Sequence, residues 1–321
     1  MDETGCLTSV RRRTMLRRLI HVRPVGRITY LVGVPDGTLQ RSYGKVFNQV
    51  AAEYDRHRPT YPEQLIDLAC LLAGLERGDQ VLEIGCGTGQ LTHSLLARGL
   101  RVTAIEPGAQ LSGLAQQRLG GTGELELVNA RFEDARFPHE HFRAVFSASA
   151  IHWVDPDFGW QRAADALVPD GTLALIQYFG LHEPRSADDQ QALLSAMTAI
   201  APEIAASWPH YRDLESTLAG VCERRENISE VWAWLGGYEV AREYAAHLFD
   251  DAQIAVAPTL MEHTAAEVNA LLGTMSFWSR LSPEQRAAME SANRALHEQL
   301  GQPICSSIVA CLVTARRGDS R

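Results

Sequence analysis

The sequence predicts an α/β fold, with a parallel sheet covered by helices on both faces. Three observations carry that expectation. Short apolar runs alternate with helical stretches between residues 47 and 180, a glycine-rich turn joins the first run to a helix, and the 321-residue chain is 45% hydrophobic, enough for a full core. Taken in order, Phe47–Tyr54 and Pro62–Ala73 read as helices, the second opening with proline in its first turn. Gln80–Ile84 is the first strand, followed by a helix near Gln90–Ala97. Arg101–Ile105 then leads to a helix near Ala109–Arg118, and Leu125–Val128 is a third strand. Ala144–Ala148 precedes a helix near Phe158–Leu167, and Thr172–Tyr178 closes the alternation. Beyond it, Ala187–Ala206 and Glu226–Leu235 read as helical. Two later segments, one within Tyr238–Leu260 and one at Ile304–Ala315, have strand character and extend the sheet at its far edge. The second ends the fold just before a basic tail, Arg316 and Arg317.

The formal net charge of −9 is unevenly spread. Residues 1–44 carry eight arginines against Asp2, Glu3 and Asp36, a balance of +5, and read as a poorly ordered extension. The other 277 residues carry 22 basic and 36 acidic side chains, a balance of −14. A body that acidic repels a phosphate backbone, which argues against nucleic-acid binding. No apolar stretch approaches the roughly 18 residues of a membrane-spanning helix, so no membrane insertion is expected. The six cysteines are scattered without a CxxC pair, which fits free thiols in a reducing, cytoplasmic setting and no metal site.

The segment richest in chemical meaning is Glu83-Ile84-Gly85-Cys86-Gly87-Thr88-Gly89, at the turn from strand to helix. Glycines there let the backbone approach a ligand closely. A dinucleotide loop spaces its glycines G-x-G-x-x-G, whereas here the third glycine comes one residue early. Glu83 would be adverse beside a pyrophosphate and favourable beside an amine. Glu106 ends the second strand, where an acid can accept both hydrogen bonds of a ribose diol. An acid facing an amine and an acid gripping a ribose describe S-adenosylmethionine better than NAD.

On these residues the sequence resembles the class I S-adenosylmethionine-dependent methyltransferases. Phe47, Ala51, Tyr54, Asp55, Arg58, Pro59, Tyr61 and Pro62, then Phe132-Glu133-Asp134, Ala150-Ile151-His152-Trp153-Val154-Asp155-Pro156, and Leu271, Leu272, Thr274 and Ser276 resemble the small-molecule branch that includes trans-aconitate methyltransferases. The resemblance covers roughly residues 47–317. It implies a Rossmann-like seven-stranded sheet of order 3-2-1-4-5-7-6 with its last strand antiparallel, and a helical insert at 180–236. It also implies a cofactor site. Glu83, Gly85, Cys86, Gly87 and Gly89 would hold the amino-acid end, and Glu106 the ribose, with Pro107 and Gly108 shaping the adenine turn. Arg131, Phe132 and Glu133 would flank the adenine, with Ser147 at the end of the fourth strand. Relatives often carry an acid at the Arg131 position; arginine cannot accept a hydrogen bond, so that contact is open or passes to Glu133. Tyr54 and Arg58 fall in the helix that covers the cofactor, Arg58 pairing either with the methionine carboxylate or with a surface acid. A second departure, Arg143 in place of aspartate, bears on local structure.

Methyl transfer is an in-line displacement that needs a base only if the acceptor is protonated. His152 is the base candidate, with a positioning role the alternative, and Trp153 and Tyr178 would face the acceptor pocket. The insert, with Trp208, Tyr211, Trp232 and Trp234, would form a lid over the acceptor or simply add to the core. Arg185, Arg212, Arg224 and Arg225 are available to a carboxylate. The expected function is methyl transfer to a small-molecule acceptor by a monomer or homodimer. The alternatives are a protein or RNA methyltransferase and a non-catalytic S-adenosylmethionine-binding protein.

Overall fold

Val81, Leu82, Glu83 and Ile84 are all buried, a run without a polar face, as a strand covered on both sides requires. They lie in β1 (Gln80–Ile84) at the centre of a seven-stranded sheet. The computed structural model describes residues 44–206, 211–236 and 245–318. Along the chain come a 3-10 turn (Gly44–Val50), α1 (Ala51–His57), α2 (Glu63–Leu72), β1, α3 (Gln90–Ala97), β2 (Arg101–Ile105), α4 (Ala109–Leu119), β3 (Glu124–Val128) and β4 (Phe142–Ala148). A 3-10 turn (Ile151–Trp153), α5 (Pro156–Ala166) and β5 (Leu167–Gly180) follow. The insert then forms α6 (Ala187–Ile200), α7 (Pro202–Ala205), α8 (Leu214–Arg224) and α9 (Ile228–Gly236). The chain ends with β6 (Phe249–His263), α10 (Ala265–Gly273), a 3-10 turn (Ser276–Arg280), α11 (Pro283–Leu300) and β7 (Ile304–Arg317). The strand order is β3-β2-β1-β4-β5-β7-β6, with β7 antiparallel to both its neighbours, as expected.

Alternation along each strand divides the core between the faces. Leu82, Ile84, Val145, Leu173, Leu175 and Val313 meet Trp160 of α5, while Val81, Ala144, Phe146, Ala174 and Leu312 meet Ile66 of α2 and Leu91 and Leu95 of α3. Val221, Ile228, Val231, Trp232 and Leu235 of α8 and α9 belong to the first of these cores. Half of the expected lid is therefore a layer on the sheet, and Trp232, with no exposed surface, is a core residue.

The other half is built on an overhang. Gly180, the last residue of β5, pairs with Ile308, but β6 and β7 continue to pair from Leu260–Ser307 to His263–Ile304. Upon this projecting strand pair sits a third, separate core of Met197, Ala201, Ile204, Leu281 and Met289, drawn from α6, α7, the loop ahead of α11 and α11.

Three expectations need correcting. Arg316 and Arg317 are the end of β7, not a tail. Arg317 pairs with Glu140 at 2.8 Å and donates to the Leu167 carbonyl, so the strand outlasts its apolar run. The helix anticipated over Ala187–Ala206 breaks at Ala201 (φ −143°, ψ 71°), because Pro202 disfavours helical backbone at the residue before it. Gly44 and Phe47 belong to a 3-10 turn, and only from Ala51 does the first helix become an α-helix. The extension before Gly44, together with Trp208, lies outside the described residues.

Candidate active site

The carboxyl ends of β1, β2 and β4 hold the glycine turn. Gly85, Gly87 and Gly89 have φ of +69°, +57° and +84°, left-handed values that an L side chain resists. At Gly85 a Cβ would also stand 2.4 Å from the Ala150 Cβ, so glycine is required by both φ and space. The turn is tied to β2 by Gly85 and Cys86 N–H groups donating to the Ile105 carbonyl at 2.8 and 3.1 Å. Cys86 itself is buried, and burial raises its thiol well above the usual range, so it is a filler rather than a nucleophile.

Glu106 closes the turn. One carboxylate oxygen accepts the Gly108 N–H at 2.7 Å and the other the Gly87 N–H at 3.0 Å. Burial raises its pKa and these two backbone donors oppose the rise. The expected ribose-binding acid is thus fixed between the first and second strand ends, beside the exposed Pro107. Glu83 lies deeper, 1% exposed, and accepts the Thr92 hydroxyl at 2.6 Å. Desolvation, reinforced by Glu106, raises its pKa to about 7 against the Thr92 hydrogen bond. Its carboxylate is closed off from solvent and held by Thr92.

Tyr54 covers the turn from α1, with a ring carbon 4.0 Å from where a Gly87 Cβ would be. Phe47 packs edge-on against both Tyr54 and Trp153, at 5.6 and 5.5 Å, which brings the covering segment onto the predicted pocket wall. Arg58 meets no surface acid among the described residues. Its guanidinium bonds the Thr274 hydroxyl and carbonyl at 3.0 and 2.9 Å and lies 5.2 Å from the centre of the Tyr54 ring. On the other side, Asp55 pairs with Arg118 of α4, which also reaches the Thr88 carbonyl.

Arg131 and Glu133 satisfy one another at 2.8 Å, and Glu133 also accepts the Asp155 N–H at 2.9 Å. The Phe132 side chain is buried and stacked on Phe137 at 5.6 Å, so only its backbone remains for a ligand. Ser147 is wholly buried and donates to the Ile84 carbonyl at 3.1 Å, which makes it a tie between β4 and β1 rather than a side-chain ligand. Arg143 reaches the Gly74 carbonyl and Asp79, a local role.

After β4 the chain passes through Ser149, at φ +53°, to His152. Its imidazole lies 4.7 Å from the Trp153 ring, and burial with the nearby Arg58 charge lowers its pKa to about 3. Tyr178 stacks on Tyr61 at 5.8 Å and donates to the Thr60 carbonyl, while Tyr61 donates to Ser149 at 2.9 Å. Tyr61, Ser149 and Thr274 were not singled out for chemistry by sequence. The left-handed backbone at Ser149 has no signal in the residue type; Tyr61 and Thr274 stood in the matched motifs without a role.

Residues 82–175 match the model of a methyltransferase domain. An uncharacterized methyltransferase of Mycobacterium tuberculosis is 36% identical over 137 residues, 43% of this chain and 54% of the relative. A probable S-adenosylmethionine-dependent methyltransferase of Saccharomyces cerevisiae is 28% identical over 151 residues, 46% and 50% of the two chains. The chain spans about half the length of these curated relatives. A solved methyltransferase of Thiobacillus denitrificans in complex with S-adenosyl-L-homocysteine is 17% identical, with a TM-score of 0.46 over 85% of this chain and 97% of that one.

Proposed function

We propose that this chain, which carries a class I S-adenosylmethionine-dependent methyltransferase domain, transfers a methyl group to a small-molecule acceptor by in-line displacement. The observation that carries the reading is the Glu83–Gly89 turn, tied to Glu106 through the Gly87 N–H and leaving the space of a Gly87 Cβ unfilled beneath Tyr54. The residues fit the cofactor. Glycine backbone permits close approach, Glu106 offers a fixed pair of acceptor oxygens, and Glu83 is a buried acid that gains from a nearby cation. Bound S-adenosylmethionine would supply an electrophilic methyl on a sulfonium.

This chain's own contribution is orientation and exclusion of water. Glu106 and the turn would fix one partner, while Trp153 and Tyr178, joined to Phe47 and Tyr61, wall the space beyond the end of β4. Positioning of this kind is worth roughly 7–11 kcal/mol in favourable cases. An imidazole with a pKa near 3 is neutral at pH 7 and a weak base, so His152 serves as a hydrogen-bonding guide for the acceptor. Calorimetry with S-adenosylhomocysteine tests the cofactor reading; no binding, or full binding by Glu106→Ala, defeats it. A radiolabelled methyl-transfer screen over metabolites, peptides and RNA then tests the acceptor class.

A further inference from the structure

Two arginines share one indole where the insert meets the sheet. The Arg212 guanidinium carbon lies 3.8 Å, and that of Arg224 4.3 Å, from the centre of the Trp234 ring. The platform is locked. Trp234 donates its indole N–H to the Thr217 carbonyl at 3.2 Å, and a Cβ on Gly220 would come within 2.0 Å of the ring. Arg212 is fixed as well, its carbonyl accepting the His182 N–H at 2.9 Å and its guanidinium donating to the Trp234 carbonyl at 3.1 Å. It follows Tyr211, which fills the space above Gly180 at the end of β5.

The charges around this stack do not balance. Arg224 has Glu223 at 3.2 Å. Among the described residues no carboxylate lies within ion-pair distance of Arg212, since its neighbour Asp213 accepts the Ser216 N–H at the start of α8. The two guanidinium carbons are within about 8 Å of one another, a separation at which like charges repel. Burial and the Arg224 charge both lower the Arg212 pKa, the mark of a cation short of a counter-ion. Planar guanidinium forks match carboxylate and phosphate oxygens, and an aromatic face holds them ready.

We propose that the Arg212–Trp234–Arg224 stack, just beyond the end of β5, binds a small oxyanion, the carboxylate or phosphate group of a small molecule. Oxyanion binding there needs no bound cofactor, so it can be measured separately from methyl transfer. The test is thermal unfolding of the full chain in succinate, in inorganic phosphate, and in sodium chloride at equal ionic strength. At several times half-saturation one oxyanion should raise Tm by about 2–4 °C over chloride. Succinate alone assigns a carboxylate, phosphate alone a phosphate, and both a general oxyanion site; each supports the proposal. Arg212→Gln and Arg224→Gln should lose the rise, and Arg225→Gln, on the exposed neighbour, should keep it. If Arg212→Gln fails to fold, Arg224→Gln carries the comparison. No rise with either oxyanion, or a rise that Arg224→Gln retains, overturns the site. S-adenosylhomocysteine binding, measured in parallel, can fail or succeed independently.

Discussion

Glu83 and His152 are buried on opposite sides of their natural charge, and their effects on stability run in opposite directions with pH. The Glu83 pKa rises from 4.5 to about 7, so the folded state holds a proton that the unfolded chain releases. Its stabilising contribution is complete below pH 4.5 and is lost as pH climbs through 7, a change of about 3 kcal/mol. His152 falls from 6.5 to about 3, so its contribution is complete above 6.5 and is lost as pH drops toward 3. Between pH 4.5 and 6.5 the two slopes oppose each other. Denaturant titrations across that window should show stability of Glu83→Gln rising with pH, and that of His152→Gln falling. Parallel curves would refute the assignment. Gly85→Ala adds a Cβ at 2.4 Å from another Cβ and should lose about 2–4 kcal/mol, whereas Gly87→Ala meets only Tyr54 at 4.0 Å and should lose about 1 kcal/mol of stability. Its larger loss should be in S-adenosylhomocysteine affinity, because that Cβ stands where a ligand would lie. A calorimetric titration compares the two.

Among the elements, α1 is the one whose role changed most between sequence and structure. The motif around Tyr54 and Arg58 implies a cover over the cofactor; the structure places the Tyr54 ring 4.0 Å from where a Gly87 Cβ would be. The partner of Arg58 was illegible, because Thr274 is 216 residues away and its value lies in a backbone carbonyl as much as in a hydroxyl. Arg58→Met should remove two hydrogen bonds to a charged group, about 1–2 kcal/mol at this half-buried position, and speed S-adenosylhomocysteine release about tenfold. Thr274→Val keeps the carbonyl bond and should have the smaller effect in the same stopped-flow measurement. The parallel strands were legible because each is a short apolar run between glycine or polar turns, and β1, α3 and β2 fall where the periodicity put them. Helices α10 and α11 were not placed, although Thr264 with Glu267 and Ser282 with Gln285 form capping boxes that mark both starts. Leu272 of α10 and Met289 of α11 serve a small core at the overhang, outside the strand–helix alternation that marks the helices on the sheet. Glu83 and Glu106 both stand out in the sequence as strand-ending acids, but the depth of Glu83 depends on Thr92, at the start of the next helix, and no local signal marks that hydrogen bond.

At the scale of the molecule, the three cores are not equivalent. Two lie on the faces of one sheet and share every central strand, so the loss of packing in either is felt by the whole sheet. The third, around Met197, Ala201, Ile204, Leu281 and Met289, is joined to the sheet through the projecting ends of β6 and β7. Its polar attachments among the described residues include Asp189 accepting the Cys305 N–H, Ser186 bonding Ser307, Gln190 reaching the Ser307 carbonyl, and Arg58 at the end of α1 bonding Thr274 beside it. A small core attached in this way is expected to open while the sheet stays folded. Leu281 is 2% exposed in the third core and Leu173 is wholly buried in the first. Each leucine-to-alanine change should cost about 2–4 kcal/mol where it acts. Hydrogen exchange then separates them. In Leu281→Ala the amides of α6, α7, α10 and α11 should exchange faster by roughly 30-fold or more, in proportion to that free energy, while β1, β4 and β5 keep their protection. In Leu173→Ala the strands themselves should lose protection along with the rest. If Leu281→Ala accelerated exchange equally in β1, the third core and the sheet would be one cooperative unit, and the separate packing at the overhang would carry no stability of its own.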